Sequence, residues 1–198
     1  MNLIPEFTIS WMNGFWFSLV FIITNIIMIK FFPEHYKKRV LTMPKFNDML
    51  TQAIGTFNFI LFQGLIIISI FIPVKYKSVL FIPGIALFFI GYVFYVISLI
   101  NYATTNPDRP VVKGMYKYSR NPQQIMTIVM WLGVGLAMSN YLILIICLIQ
   151  IITVYPTFIA QEEYCIKKYG DAYREYMNKT PMYLGIPKSK KIKKELRI

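Results

Sequence analysis

Four stretches of the chain carry no Asp, Glu, Lys or Arg: residues 7–29, 49–74, 78–107 and 121–161. Each of the first three can hold one apolar helix of about 20 residues, the length that crosses a hydrocarbon core. The fourth is too long for one crossing, and Ser139-Asn140 interrupts it with residue types that favour a tight turn. The pattern predicts an all-α polytopic membrane protein with about five transmembrane helices. They are expected near residues 10–31, 53–73, 79–101, 123–138 and 141–161.

The polar positions inside these runs are informative. Asn58 and Gln63 fall in the second span, Gln150 and Thr153 in the fifth. In lipid such groups are expected to bond between helices. Pro156 removes a backbone donor and should kink the fifth span. The kink serves either packing or a cavity just before Glu162-Glu163. Gly133-Val-Gly135 follows no strand and lacks a third glycine, so it reads as helix packing and not as a dinucleotide loop.

Composition sharpens this picture. Of 198 residues, 56% are hydrophobic and only 15% charged, too few charges to cover a soluble domain. The net charge of +12 sits between the apolar runs and not on one soluble face, which argues against a nucleic-acid partner. With the N-terminus outside, segments 30–50, 102–122 and 162–198 are cytoplasmic and hold 19 of the 21 Lys and Arg residues. That orientation obeys the positive-inside rule. The basic stretch 188–198 is expected on anionic headgroups. His35 is the only histidine, and Cys147 and Cys165 are the only cysteines. No metal-ligand spacing results, so no metal is expected. Three units follow: N-terminal spans with a basic loop (1–78), a membrane-embedded core (79–187) and the basic tail (188–198).

Chemistry concentrates in the second half. Segment 101–122 is polar, carries Pro107, Pro110 and Pro122, and is longer than a passive connector requires. Glu162-Glu163 closes the last span, and two adjacent carboxylates on a helix face different ways. Read as a solvated helix end, the pair opposes the helix dipole and needs a cationic partner, unless the helix runs on through Lys167-Lys168.

These segments carry a resemblance. Gly114-Met-Tyr116-Lys-Tyr-Ser-Arg120-Asn121-Pro122, and Glu162-Glu163 followed by Lys168-Tyr169-Gly170-Asp171-x-Tyr173-x-x-Tyr176, resemble the paired motifs of the isoprenylcysteine carboxyl methyltransferase and phospholipid methyltransferase family. The similarity covers about residues 80–187 and includes the helical hairpin between the motifs. The chain departs from the pattern at Asn121, where many members have His, at Gln123-Gln124, where a Tyr is common, and at Pro181-Met182, where Pro-Arg is usual.

The resemblance implies an S-adenosylmethionine-dependent membrane enzyme. Its cofactor site would draw on Gly114, Tyr116, Arg120, Asn121, Pro122, Glu162, Glu163 and Tyr173. Arg120 is expected to hold the cofactor's carboxylate, and Glu162 or Glu163 its amino group or ribose. Arg120 and Glu163 are the expected catalytic pair. Arg109, Arg174 and Tyr176 are candidates for the substrate, and interfacial anchoring is the alternative for each Tyr. The first substrate candidate is a lipidic or prenylated carboxylate, which needs no general base. A phospholipid amine and a small thiol follow. An NADPH-dependent sterol-type reductase and a non-catalytic membrane protein are the readings of other classes.

Overall fold

The computed structural model describes residues 7, 10–41 and 48–187. Among them the fold is all helical: α1 (Phe15–Phe31), α2 (Glu34–Leu41), α3 (Met49–Phe71), α4 (Phe81–Ala103), α5 (Pro122–Ala137), α6 (Tyr141–Thr153), α7 (Tyr155–Tyr169) and α8 (Asp171–Lys179). Asn13 and Pro73 form an isolated antiparallel β-bridge.

Local chemistry sets the helix ends. Asp48 accepts a hydrogen bond from Thr51 N at 2.8 Å and so caps α3. Asn140 caps α6 through Ile143 N at 3.2 Å. Ser139, at φ 49°, makes the expected turn between α5 and α6. Proline opens both α5 and α7, where its missing N–H is harmless.

α4 and α5 pack backbone to backbone. A Cβ on Gly84 would lie 2.4 Å from Ala137 N, one on Gly133 2.4 Å from Phe88 N, and one on Gly91 2.7 Å from Met130 N. This is the small-residue packing that lipid favours, where apolar burial against water gives no drive between helices. Gly133 therefore has the packing role its context predicts. Leu65, Phe88, Met130, Trp131, Val134, Ile143 and Cys147 fill the core beside this seam.

The fifth predicted span is broken. α6 and α7 meet at Val154 with a bend of 43°. Pro156 lacks an N–H, and its ring obstructs the preceding turn. Asn58 on α3 staples the break: its Nδ2 donates to Thr153 O at 2.6 Å, and Thr153 Oγ1 donates to Asn58 Oδ1 at 2.7 Å. Gln63, expected in a similar role, is exposed.

By length and apolar composition, α3 and α4 each suffice to cross a membrane, and the bent α6–α7 pair makes a third span if counted as one. α1 and α5 are apolar but have 17 and 16 residues, about 25 Å of helix against about 30 Å of hydrocarbon. The charge-free stretches overstate their helices because cap and turn residues are uncharged too. Asn13, Gly14 and the Met138–Asn140 turn take up part of those runs.

Candidate active site

The loop between α4 and α5 is shaped by Gly114. It lies at φ 57°, and a Cβ there would come within 2.1 Å of Asn101 Nδ2. Both its backbone angle and its close approach to the α4 end thus require glycine. The following 3-10 turn, Gly114–Lys117, buries Tyr116. That ring stacks on Tyr102 of α4, with centroids 6.4 Å apart.

α8 closes the other side. Tyr173 and Tyr176, three apart, share one face of α8, and Tyr169 ends α7 just before the Gly170 break. Tyr169 donates to Pro107 O at 3.1 Å. Tyr176 donates to Tyr116 O at 2.7 Å and lies 3.3 Å from Ser119 O. Tyr173 packs edge-on against Tyr176, centroids 5.6 Å apart. Burial pushes the hydroxyls of Tyr173 and Tyr176 well above the ordinary tyrosine range.

The segment after α8 straps the loop down. Arg120 N donates to Pro181 O at 3.0 Å, and Gly185 N to Tyr118 O at 2.9 Å. Ser119 Oγ and Asn121 Nδ2 both donate to Met182 O, at 3.2 and 3.3 Å. The Asn121 side chain faces this strap and does not cap α5. Pro122, buried at the first turn of α5, fixes where the helix starts.

Against this frame stands a buried ion pair. Arg120 Nε lies 2.8 Å from Glu162 Oε1, with the side chains 11% and 5% exposed. Arg120 Nη1 donates to Met177 O at 3.1 Å. Both atoms are shut away from solvent, and each is the other's charge partner. α7 runs on through Lys167 and Lys168 to Tyr169. Glu162 is therefore a mid-helix residue and not a solvated helix end, and the Arg120 cation answers its charge.

Glu163 follows on another face of α7 and is half-buried. Arg109 and Arg174 are exposed. Arg174 Nε lies 3.8 Å from Asp171 Oδ1 at the surface of α8. The fold thus gathers Gly114, Tyr116, Arg120, Asn121, Pro122, Glu162, Tyr173 and Tyr176 into one body, and leaves Arg109 and Arg174 at its rim. The basic tail falls outside the described residues.

Three further polar groups were silent in the sequence. Asn101 Nδ2, Gln123 Nε2 and Thr157 Oγ1 are buried without a hydrogen-bond partner. Trp131 Nε1, in the core beside the α4–α5 seam, is another. Asn101 lies at the end of α4, Gln123 at the start of α5 and Thr157 on α7, each next to a segment that carries a motif. A polar side chain beside a motif but inside an apolar run was the available signal.

A model of the phospholipid methyltransferase family matches residues 57–172, more than half of the chain. The chain belongs to the phospholipid methyltransferase family. No curated protein and no solved structure matches it. The matched region runs from Phe57 on α3 to the first turn of α8 and contains Asn58 at the α6–α7 break, the Gly114–Pro122 segment and Glu162-Glu163. Family and apolar helices together make this an integral membrane methyltransferase for lipid-like substrates. The family match stands against a reductase.

Proposed function

We propose that the protein transfers a methyl group from S-adenosylmethionine to the carboxylate of an amphiphilic acid, an isoprenylcysteine or a related lipidic acid. The observation that carries this reading is the buried Arg120–Glu162 pair, 2.8 Å apart at the meeting point of the two motif segments. Such a pair suits a zwitterionic amino-acid group, whose carboxylate meets the guanidinium and whose ammonium meets the carboxylate. Asn101 Nδ2, beside the Gly114 turn, adds a donor without a partner. The residues present therefore fit the cofactor.

S-adenosylmethionine supplies an electrophilic methyl on a sulfonium. The protein's part is orientation, charge balance and exclusion of water. Arg120 and Glu162 would fix the donor's amino-acid end, with Glu163 beside them for its ribose. Tyr116 and Tyr173 would wall the pocket, and Tyr176 would brace the loop. Asn121 and Pro122 hold the loop and the head of α5 in register. The acceptor carboxylate would arrive already ionised, so the residues around it would need to orient it toward the methyl group and move no proton. Arg109 and Arg174, at the rim, are suited to attract an anionic headgroup. In this reading the motif-bearing end of the bundle faces the cytoplasm. Residues 79–187 form the catalytic core on an N-terminal scaffold, and the tail 188–198 rests on anionic lipid.

The family's name favours a second reading, N-methylation of a phospholipid amine. An amine must lose a proton, and Glu163, half-buried next to the ion pair, is the obvious group to take it. Glu162 is engaged with Arg120, and Tyr173 and Tyr176 are held protonated by burial.

Calorimetry in detergent tests the cofactor: S-adenosylhomocysteine should bind the wild type, and NADPH should not. Labelled methyl donor then separates the acceptors. A methyl ester releases its label in base, whereas a methylated amine keeps it. The rate on a carboxylate should be flat from about pH 6 to 9, because an acceptor with a pKa of about 4 is already ionised. A base-stable product, or a rate that climbs with pH, would reject the acid in favour of the amine.

A further inference from the structure

We infer that Gln123 and Thr157 form the subsite that grips the headgroup of the methyl acceptor, a proposal that rests on the methyl-transfer reading above. Both carry a buried polar atom without a partner, Gln123 Nε2 and Thr157 Oγ1. A buried donor left unpaired is costly, so two such atoms flanking the Arg120–Glu162 segments call for a ligand. Neither residue belongs to the motif pair, and both lie on its apolar side. Gln123 sits in the first turn of α5, and the helix beyond it runs through Ile125, Met126 and Ile128. Thr157 lies five residues before Glu162 on α7, about 7.5 Å along the axis, next to the Pro156 break.

An amphiphile entering from the bilayer has its tail among apolar helices and its headgroup where polar atoms begin. Along α5 and α7, Gln123 and Thr157 carry polar atoms without partners on the apolar side of the Arg120–Glu162 pair, whereas Thr127, one turn further along α5, is already bonded to Gln123 O. Both offer a hydrogen, which suits the oxygens of a carboxylate or of a neighbouring amide. Phe158, the next residue on α7, packs its ring against Tyr183 of the strap at 5.7 Å. The strap therefore reaches the α7 segment that bears Thr157 and helps exclude water there.

The test uses full-length protein in detergent with N-acetyl-S-farnesylcysteine as acceptor probe. Gln123→Ala and Thr157→Val should each raise KM for the probe at least tenfold. Affinity for S-adenosylhomocysteine should stay within twofold, which also certifies the fold. Thr157→Ser keeps the hydroxyl and should restore KM. Unchanged KM would overturn the proposal, since a trapped water would then suffice for these atoms. A parallel loss of S-adenosylhomocysteine affinity would overturn it too, by assigning the pair to the donor. If the wild type binds no S-adenosylhomocysteine, the methyl-transfer reading itself fails. Equilibrium dialysis of the probe alone then decides the subsite: loss of binding in Gln123→Ala supports it, and equal binding rejects it.

Discussion

The seam between α4 and α5 and the lobe built around α8 hold their parts together by opposite means. In the seam, Gly84, Gly91 and Gly133 let two backbones touch, and no polar side chain mediates the contact. In the lobe, side chains reach across to main-chain carbonyls: Tyr176 to Tyr116, Tyr169 to Pro107, Ser119 and Asn121 to Met182, Arg120 to Met177. Apolar packing asks little of polar groups, Trp131 Nε1 beside the seam being the exception. The polar assembly leaves Asn101 Nδ2, Gln123 Nε2 and Thr157 Oγ1 buried without partners next to the segments that carry the motifs. A site for a charged donor and a lipid acceptor belongs where polar capacity exceeds what the protein itself uses, and the seam is the rigid wall behind it.

The ion pair is where this contrast breaks most sharply. Arg120→Ala strands Glu162 as a lone buried carboxylate, and should cost about 3–5 kcal/mol of stability along with cofactor binding. The double replacement Arg120→Met with Glu162→Leu removes both charges and should recover most of that stability, because apolar isosteres of a buried pair are often neutral. It should not recover binding of S-adenosylhomocysteine. Thermal unfolding and calorimetry on the three proteins separate the two roles. Equal stability in the single and double variants would mean that the pair is effectively solvated.

The same contrast explains what the sequence revealed. Membrane helices were legible because a span is written locally, as a run without charges. The hairpin turn at Ser139-Asn140 and the packing role of Gly133 followed from the residue types alone. The meeting of Arg120 with Glu162 was legible only through the resemblance, since 41 residues of hairpin separate them in the chain. The strap was not legible. It rests on carbonyls of Pro181 and Met182, and a carbonyl has no signature in sequence. The importance of Gln123 was hidden for another reason: it looked like a departure from a motif, and only burial shows its amide to lack a partner. The length of α1 was overstated because uncharged residues before the helix read like more helix, whereas α5 has the 16 residues expected of it.

Glycine substitution probes the apolar side of the comparison. Gly133→Ala drives a methyl against Phe88 N and should cost about 1–3 kcal/mol as α4 and α5 separate. Gly64→Ala is the matched control. That glycine also lies in a helix, but nothing stands within 4 Å of its added Cβ. There the methyl should stabilise the helix by up to about 1 kcal/mol, by restricting the unfolded chain. Thermal unfolding in one detergent gives the comparison directly. A shift of the same sign in both variants would show that helix propensity, and not backbone contact, governs the seam.

The smallest expected effect lies at the α6–α7 break, where polar bonding enters the apolar half. Pro156 cannot donate, so the turn before it has carbonyls to satisfy in a medium without water. Asn58 serves Thr153 O while accepting from Thr153 Oγ1. Asn58→Ala removes both bonds, yet the two partners are half-buried and measured interhelical bonds in membranes average about 0.6 kcal/mol. The loss should be about 1 kcal/mol. Thr153→Val should cost less, because Asn58 still reaches the carbonyl. Adding the two changes should cost no more than Asn58→Ala alone if they act only through each other. Additive losses in the double variant would mean that the break is held by the helix itself and that α3 merely lies alongside.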